Sequence, residues 1–466
     1  MTMPFEPYKQ MLEQVQPVGL SGRVSSVRGL TASVADFPVP VGAACRLMRR
    51  GGQLDARVIG FAGAQTLIMP MGPMSGLCRG DRVVCVSTEE TVGVSRTMLG
   101  RVLDGMGRAI DGGEELHVEA RVPIWPTPLP AMMRRRITEP LVTGVRAIDS
   151  MLTVGKGQRM GIFSASGVGK SVLLGMIGRH TSADVTVVAL IGERGREVRD
   201  FIEKDLGPEG LKRCVVIAST SNEPPVARVQ AAAVAMAVAE HFRDRGADVL
   251  LLMDSLTRLA MAQRQIGLVA GEPPATKGYT PSVFSLLPEL LERAGRTSRG
   301  SITGFYTVLV EGDDMSDPVA DAAMSVTDGH VCLSRQLANR GHYPAIDVLQ
   351  SVSRVMNDVA DSRRQADCAE IRRLMAAYAD VEEMVNIGAY QGGANAQCDL
   401  AIKAMPLIRR FLAQRMDECS PPERTLELMG ELLRDVRRQD APRQAAASPV
   451  GRYSRTGRRI VGTQAG

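Results

Sequence analysis

Residues 161–171 carry the clearest chemistry in the chain, because they form a glycine-containing loop that ends in a lysine and a serine. The segment reads Gly-Ile-Phe-Ser-Ala-Ser-Gly-Val-Gly-Lys-Ser and lies between a short apolar run and an apolar pattern at helical spacing. In such a strand-to-helix loop, backbone N–H groups bind phosphate oxygens, the lysine adds positive charge and the serine hydroxyl can bind Mg²⁺. The loop predicts a nucleoside triphosphate site formed by Ser166, Gly167, Val168, Gly169, Lys170, Ser171 and Val172.

The loop departs from the usual pattern at one position. That pattern has a glycine six residues before the lysine, where this chain has Ser164 followed by Ala165. Gly167 and Gly169 remain to supply unusual backbone angles. Taken alone, the motif leaves open a glycine-containing turn that binds nothing.

Glu193 is the candidate for polarising an attacking water molecule. It follows the apolar run 185–191, which predicts a buried strand. Ligands bind at the C-terminal ends of strands in parallel sheets, and a carboxylate there can act as a general base, a role worth ~10²–10⁴ in rate. Glu and Arg alternate over 193–197, so a solvated surface loop is an equally good interpretation of this segment alone.

Asp254 follows five consecutive apolar residues, 249–253, in a second predicted strand over 247–254. A carboxylate at that position could hold Mg²⁺ through its water shell, together with Ser171. The alternative is an aspartate that only caps the following helix. Because the loop, the glutamate and the aspartate follow one another in order within residues 164–254, the combination favours phosphoryl-transfer chemistry.

The surrounding patterns predict an α/β protein with several parts. A short amphipathic helix is predicted over 1–18, and β-branched runs between turn residues over 19–95 predict a small β-barrel. Strands alternate with helices over 96–360, as in a mostly parallel sheet covered by helices, and only helical stripes follow over 361–440.

Composition and length are those of an ordinary soluble protein. Of the 466 residues, 44% are hydrophobic and 23% are charged, and no apolar run reaches the ~18 residues that cross a bilayer. Glu6, Lys9 and Glu13 interrupt the N-terminal segment, which argues against a signal peptide and predicts a cytoplasmic location. The eight cysteines form no Cys-x-x-Cys pair, so reduced thiols are expected and a zinc site is not.

The net charge of +5 comes from the C-terminal tail. Residues 441–466 contain five arginines and no acidic residue, so the first 440 residues are formally neutral. The Ala, Pro, Gly, Ser and Gln content of the tail predicts disorder. No specific nucleic-acid partner is expected, because the charge excess does not lie on a folded surface.

Several longer stretches carry a family resemblance. They are 152–161, 191–198, 253–258, 271–284 (Gly-Glu-Pro-Pro-Ala-Thr-Lys-Gly-Tyr-Thr-Pro-Ser-Val-Phe) and 341–348, and the similarity spans roughly residues 20–415. The chain resembles the ATPases of type III protein export, most closely those of the flagellum, which are homologous to the α and β subunits of rotary ATP synthases. The resemblance implies a RecA-like P-loop ATPase core with an N-terminal β-barrel and a C-terminal helical domain. That family commonly has Ala-Gly where this chain has Ser164-Ala165.

The resemblance also implies roles for single residues. Lys170 and Ser171 become contacts to the phosphates and Mg²⁺ of ATP, Glu193 the base and Asp254 the carboxylate on the magnesium side. Arg194 joins the candidate catalytic residues.

Two further residues take roles from the same resemblance. Tyr343 falls where a tyrosine stacks on adenine, and Arg354 falls in a segment that supplies an arginine finger to the neighbouring subunit. A finger supplied in trans contributes ~10³–10⁵ in rate, so the implied enzyme is a homohexamer that is nearly inactive as a monomer.

Three other functions would use a similar nucleotide core. A terminator-type RNA helicase needs stacking aromatics in its barrel, and residues 19–90 offer only Phe37 and Phe61. A rotary-synthase subunit fits less well, because catalytic and finger motifs coexist in one chain. A virulence secretion ATPase stays open as the alternative, since only segments such as 98–105 and 308–314 favour the flagellar system.

The partners implied by the resemblance are other copies of the chain, a stator-like negative regulator at the N-terminal helix, a coiled-coil stalk protein, chaperone–cargo complexes and the membrane export gate. A cytoplasmic protein peripherally associated with the inner membrane is expected.

Overall fold

A computed structural model describes residues 19–310 and 316–446. The helix predicted for 1–18 lies outside the described residues. Of the tail predicted to be disordered, residues 441–446 belong to the last helix, Pro422–Ala446, and 447–466 lie outside the described residues.

The N-terminal part is a closed barrel of six antiparallel strands. They are β1 (Ser21–Arg28), β2 (Thr31–Ala35), β3 (Ala44–Arg49), β4 (Gly52–Ala62), β5 (Gln65–Pro70) and β6 (Arg82–Ser87). Their order around the barrel is β1-β2-β5-β4-β3-β6. Alternate side chains, such as Val24, Leu47 and Val83, fill the interior because successive residues of a strand point to opposite faces. The predicted β-barrel is confirmed.

The central part contains a nine-stranded, mostly parallel sheet. Its strands are β8 (Val102–Leu103), β12 (Arg159–Ser164), β13 (Val185–Glu193), β14 (Cys214–Thr220), β15 (Asp248–Asp254), β16 (Gly295–Arg296), β17 (Ser301–Leu309), β18 (Gly329–Leu333) and β19 (Ile346–Ser353). The order is β19-β18-β12-β17-β15-β13-β14-β8, with β16 paired to β17. Only β19 and β16 pair antiparallel to their neighbours. Two small sheets are formed by β7 (Thr91–Val94) with β9 (Ala120–Pro123) and by β10 (Pro140–Leu141) with β11 (Val154–Gly155).

Helices cover both faces of the central sheet. They are α1 (Arg146–Met151), α2 (Lys170–His180), α3 (Gly195–Asp200), α4 (Gly207–Leu211), α5 (Pro225–Asp244), α6 (Leu256–Ala270), α7 (Pro281–Leu291), α8 (Pro318–Val326), α9 (Arg335–Asn339) and α10 (Met356–Val359). Consecutive residues of one strand, such as Val187 and Val188, belong to different hydrophobic cores. Burial on both faces explains why these strands are continuous apolar runs.

The C-terminal part is helical, as predicted. It consists of α11 (Ser362–Ala379), α12 (Glu382–Asn386), α13 (Ala396–Leu412) and α14 (Pro422–Ala446). Apolar side chains of these helices, including Leu374, Ile408 and Leu433, share one core with α1 and one face of the central sheet. The C-terminal helices are therefore packed onto the same face as the phosphate-loop helix α2.

Candidate active site

The glycine-containing loop joins the end of β12 to the start of α2. Gly167 has φ +81° and Gly169 has φ +94°, which is backbone that favours glycine. Ser164 is the last residue of β12, is buried and does not have a positive φ. The serine that replaces the usual glycine therefore stands where the backbone does not require glycine.

Lys170 brings the loop into contact with both predicted carboxylates. Its ammonium forms an ion pair with Asp254 and lies 3.7 Å from Glu193 Oε1. Glu193 and Asp254 end the adjacent parallel strands β13 and β15, and Thr307 on β17 donates a 2.7 Å hydrogen bond to Asp254 Oδ1. The three charged groups meet at the C-terminal edge of the sheet, where parallel sheets bind ligands.

Glu193 is held in a state suited to a general base. Burial, then repulsion from Asp254 and a hydrogen bond with the Glu197 carboxyl, raise the pKa of the Glu193 carboxyl from 4.5 to about 7, against the opposing charges of Lys170 and Arg258. Its Oε1 atom is buried and has no hydrogen-bond partner among the described residues. A pKa near neutrality matches the requirement for accepting a proton at physiological pH.

Arg258 belongs to the site but was missed in the sequence analysis. Its Nη2 atom lies 2.9 Å from Glu193 Oε2, and its Nη1 donates to the carbonyl of Gly192. The signal that could have found it is spacing, because Arg258 lies four residues after Asp254 and within the first turn of α6. One turn of helix returns the side chain toward the strand ends.

Ser171 and Tyr343 lie at the two sides of the loop. Ser171 is exposed in the first turn of α2. Tyr343 is 47% exposed, and its ring packs beside the loop, since a Cβ added at Gly169 would lie 3.5 Å from Tyr343 Cε1. The structure thus brings Tyr343 next to the phosphate loop, as the adenine-stacking hypothesis requires.

A cleft of about 570 Å³ extends from the loop past Tyr343. One side is formed by α2 residues, including Val172 and Met176, and the other by the segment 413–418 that follows α13. The cleft has the size and apolar lining expected for a nucleotide base.

Arg354 and Arg194 are not part of this cluster. Arg354 directly follows Ser353, which pairs with Gly329 at the start of β18. The phosphate loop begins near the other end of β18, where Leu333 pairs with Ser164, the last residue of β12. The two ends are four residues apart, roughly 13 Å at the usual rise per residue.

Both arginines are exposed instead. Arg354 forms no ion pair with any residue that the structure describes, although its backbone N–H donates to Asp328 O at 3.0 Å. Arg194 pairs with Glu197 at 3.2 Å on the surface. Within one chain, the side chains of Lys170, Glu193 and Asp254 meet. The side chain of Arg194 pairs with Glu197 although its backbone adjoins Glu193, and Arg354 follows the strand end that lies away from the loop.

This fold and cluster define a RecA-like P-loop nucleotidase. Comparison with known proteins places it more closely. Residues 144–353 match the model for the ATP synthase alpha/beta family, nucleotide-binding domain, and residues 360–431 match the T3SS EscN ATPase C-terminal domain.

Individual relatives are similar over most of the chain. The flagellum-specific ATP synthase of Treponema pallidum is 51% identical over 88% of this chain and 92% of its own length. The type 3 secretion system ATPase of Xanthomonas euvesicatoria is 49% identical over 89% of this chain and 94% of its own length. The assembled ATPase EscN from the enteropathogenic E. coli type III secretion system superposes with a TM-score of 0.84, at 41% identity, over 88% of this chain and all of that one.

The chain therefore belongs to the ATP synthase alpha/beta family and, within it, to the ATPases of type III protein export. The predicted family, fold class and ATPase activity are confirmed. Because the C-terminal helices match the export ATPases, the terminator-type helicase is no longer a candidate and a rotary-synthase subunit is disfavoured.

Proposed function

We propose that this chain is the ATP-hydrolysing subunit of a homohexameric ring that serves flagellar type III protein export. The observation that carries the proposal is the convergence of Lys170, Glu193 and Asp254 on the loop that precedes α2. The flagellum-specific ATP synthases of Treponema pallidum, Pseudomonas aeruginosa and Bacillus subtilis, which are 46–51% identical to this chain, support the flagellar assignment.

The residues at the loop fit ATP with Mg²⁺. No group of three or more His, Cys, Asp or Glu side chains within 19–310 and 316–446 could hold a metal ion by itself. Mg²⁺ is usually held by one or two carboxylates together with substrate phosphates, which matches Asp254 and the exposed Ser171 beside a phosphate loop. When bound, Mg²⁺ would neutralise charge on the β- and γ-phosphates.

Each residue of the cluster then has a separate task. The loop N–H groups and Lys170 bind the phosphates, and the Tyr343 ring stacks on the base. Glu193 Oε1, which lacks a hydrogen-bond partner among the described residues, accepts a proton from the attacking water. Arg258 fixes the orientation of that carboxylate through its 2.9 Å contact with Oε2.

We assign Arg354 to the site of the neighbouring subunit. It is exposed and follows a strand end that lies away from the loop. It is therefore suited to reach a second chain rather than its own nucleotide. Arginine fingers act on charge that develops during phosphoryl transfer. Arg194, which is also exposed, stays a candidate for a second cation at the same interface.

The proposed assembly is based on the solved structures of assembled EscN and of EscN in complex with its central stalk EscO. A homohexamer around a coiled-coil stalk protein is proposed for this chain. A stator-like negative regulator at 1–18, chaperone–cargo complexes and the export gate complete the proposed partners, with no specific nucleic acid. No helix in the described part of the chain is long and apolar enough to cross a membrane. We propose a cytoplasmic protein associated peripherally with the inner membrane.

Filament assembly tests the proposal. In a deletion strain of the encoding organism, external flagellar filaments are counted by electron microscopy after complementation with wild type, Glu193→Gln or the exposed-site control Glu209→Gln. We expect filaments with wild type and the control and few with Glu193→Gln. If deletion leaves filaments intact, the flagellar assignment fails, and virulence secretion becomes the leading function, as the 49% identity to the Xanthomonas euvesicatoria ATPase suggests.

A further inference from the structure

Gln414 is a buried glutamine at the edge of the base cleft. It lies two residues after the end of α13 and is 5% exposed. Its Oε1 atom accepts a 2.7 Å hydrogen bond from the backbone N–H of Arg146. Its Nε2 atom donates to the carbonyl oxygens of Gly144 and Glu418, both at 2.8 Å. Both donors of the amide and one lone pair of its oxygen are therefore used.

The backbone of the same residue reaches the base cleft. Gln414 N–H donates to the carbonyl oxygen of Tyr343 at 2.9 Å. Gln414 thus joins three parts of the chain that are distant in sequence: the Tyr343 segment, the turn before α1 and the linker between α13 and α14. A change in that side chain would release the linker from the turn before α1, and the linker would then be free to shift together with the Tyr343 segment that its backbone holds.

Neighbouring contacts strengthen this junction. The guanidinium of Arg146 forms an ion pair with Glu418, and Ser420 N–H donates to Gly144 O at 3.3 Å. The linker that these bonds hold supplies one wall of the 570 Å³ cleft, through Ala413 and Met416. The position of that wall depends on bonds made outside the cleft.

We propose that Gln414 is a positioning residue for nucleotide binding. Its side-chain amide anchors the linker wall to the turn before α1. Because the backbone N–H of Gln414 bonds the carbonyl oxygen of Tyr343, the anchored linker also keeps the Tyr343 segment at the spacing that accepts a nucleotide base. This inference rests on the proposed function, because it assumes that the cleft beside Tyr343 receives the base. Gln414 does not contact Lys170, Glu193 or Asp254, so its loss should weaken nucleotide binding and leave the chemical step nearly unchanged.

The test compares two buried glutamines. Gln414→Met keeps the length of the side chain and removes all three of its hydrogen bonds. Gln158 is the matched control: it is fully buried, accepts from Gly155 N at 2.9 Å and donates to Asp328 O and Ser353 Oγ at 3.1 Å. These contacts lie at the ends of the strands that are opposite to the loop. Gln158→Met therefore loses a similar set of bonds away from the cleft.

The measurements are the Kd of a ribose-labelled fluorescent ATP analogue, the KM and kcat for ATP, and the melting temperature of each variant. We expect Gln414→Met to raise Kd and KM about tenfold, which corresponds to about 1.4 kcal/mol, with kcat within about twofold of wild type. Gln158→Met should leave Kd unchanged. Gln414→Asn, which keeps a neutral amide on a side chain one methylene shorter, should give a smaller rise, and it replaces Gln414→Met if that variant does not fold.

Two results would overturn the inference: an unchanged Kd in a folded Gln414 variant, or an equal rise in Gln158→Met, which would indicate general loosening of the fold. If the wild type binds and hydrolyses ATP and the variants give either result, only the role of Gln414 is refuted. Failure of the wild type to bind the nucleotide refutes the proposed function itself.

Discussion

The guanidinium of Arg258 lies 2.9 Å from the Glu193 carboxylate, on the side opposite the oxygen that faces Lys170. Burial and the charge of Asp254 raise the pKa of Glu193 to about 7, and the two cations limit that rise. The reactivity of the base therefore depends on an arginine that does not belong to the phosphate loop.

The pH dependence of hydrolysis should report this pair. We expect kcat/KM for ATP to fall on the acidic side with an apparent pKa of about 7, because protonated Glu193 cannot accept a proton. Removing a cation that lowers the pKa, in Arg258→Met, should move this acidic limb to higher pH. Profiles of initial rate against pH, at saturating Mg²⁺, check both expectations.

The control for that experiment is Arg264→Met, in the same helix α6 and stacked over Tyr279. ATP itself titrates identically with all three enzymes, so only a difference between the variants is informative. If the acidic limb is in the same place for Arg258→Met and Arg264→Met, the proposed dependence of Glu193 on Arg258 is incorrect.

Glu193→Gln should separate activity from stability. We expect kcat to fall by ~10²–10⁴ while nucleotide binding is retained.

The stability of the same variant should depend on pH. Folding raises the pKa of Glu193 from 4.5 to about 7, so the stabilising effect of its protonated form is fully present below pH 4.5 and is lost as pH rises through 7. The variant should therefore melt at a higher temperature than wild type at about pH 8 and lose this advantage near pH 5. Calorimetry without nucleotide measures this, and a wild type that is more stable at pH 8 would contradict the burial argument.

The glycines of the loop should not be equivalent to Ser164. Gly169 has φ +94°, a backbone conformation that other residues rarely adopt, so Gly169→Ala should strain the loop and strongly weaken nucleotide binding. Ser164→Gly should bind nucleotide like wild type, because the backbone at Ser164 has no positive φ. Titration with a fluorescent nucleotide distinguishes them. Tight binding by Gly169→Ala, or a large gain in affinity for Ser164→Gly, would show that the loop geometry has been misinterpreted.

Tyr343 should contribute to ATP binding through its aromatic ring and not through its hydroxyl group. Stacking of an aromatic side chain on a base is worth about 1–3 kcal/mol, so Tyr343→Ala should raise KM for ATP about tenfold or more. Tyr343→Phe keeps the ring and should behave like wild type. Steady-state kinetics of both variants test this, and equal defects in Ala and Phe would assign the effect to the hydroxyl rather than to stacking.

The sequence predicted those parts of the site that depend on local pattern. A loop between a strand and a helix, and carboxylates at the ends of apolar strands, are written in consecutive residues, and Lys170, Glu193 and Asp254 do meet. Strands buried on both faces gave equally clear signals for the central sheet.

Contacts that depend on the packing of distant segments were not predictable in the same way. Arg258 reaches Glu193 only because α6 begins beside the end of β13, and Gln414 meets Gly144 across 270 positions of the chain. The last helix extends to Ala446, six residues into the segment 441–466 whose composition predicts disorder.

The central claim is that one active site is built from two chains, with Glu193 and Lys170 in one and Arg354 in the other. Arg354→Ala and Lys170→Ala proteins are each expected to be nearly inactive. Rings assembled from an equal mixture should regain hydrolysis, up to about a quarter of wild type, because a quarter of the random interfaces join an intact loop to an intact finger.

Rings mixed from Lys170→Ala and Glu193→Gln serve as the control and should stay inactive, since both changes affect the same half of the site. ATP hydrolysis by mixed rings, verified by mass to contain both variants, is the most direct measurement. Activity restored only in the Arg354→Ala mixture is the result that we predict, and activity no greater than the sum of the separate variants would contradict a shared site.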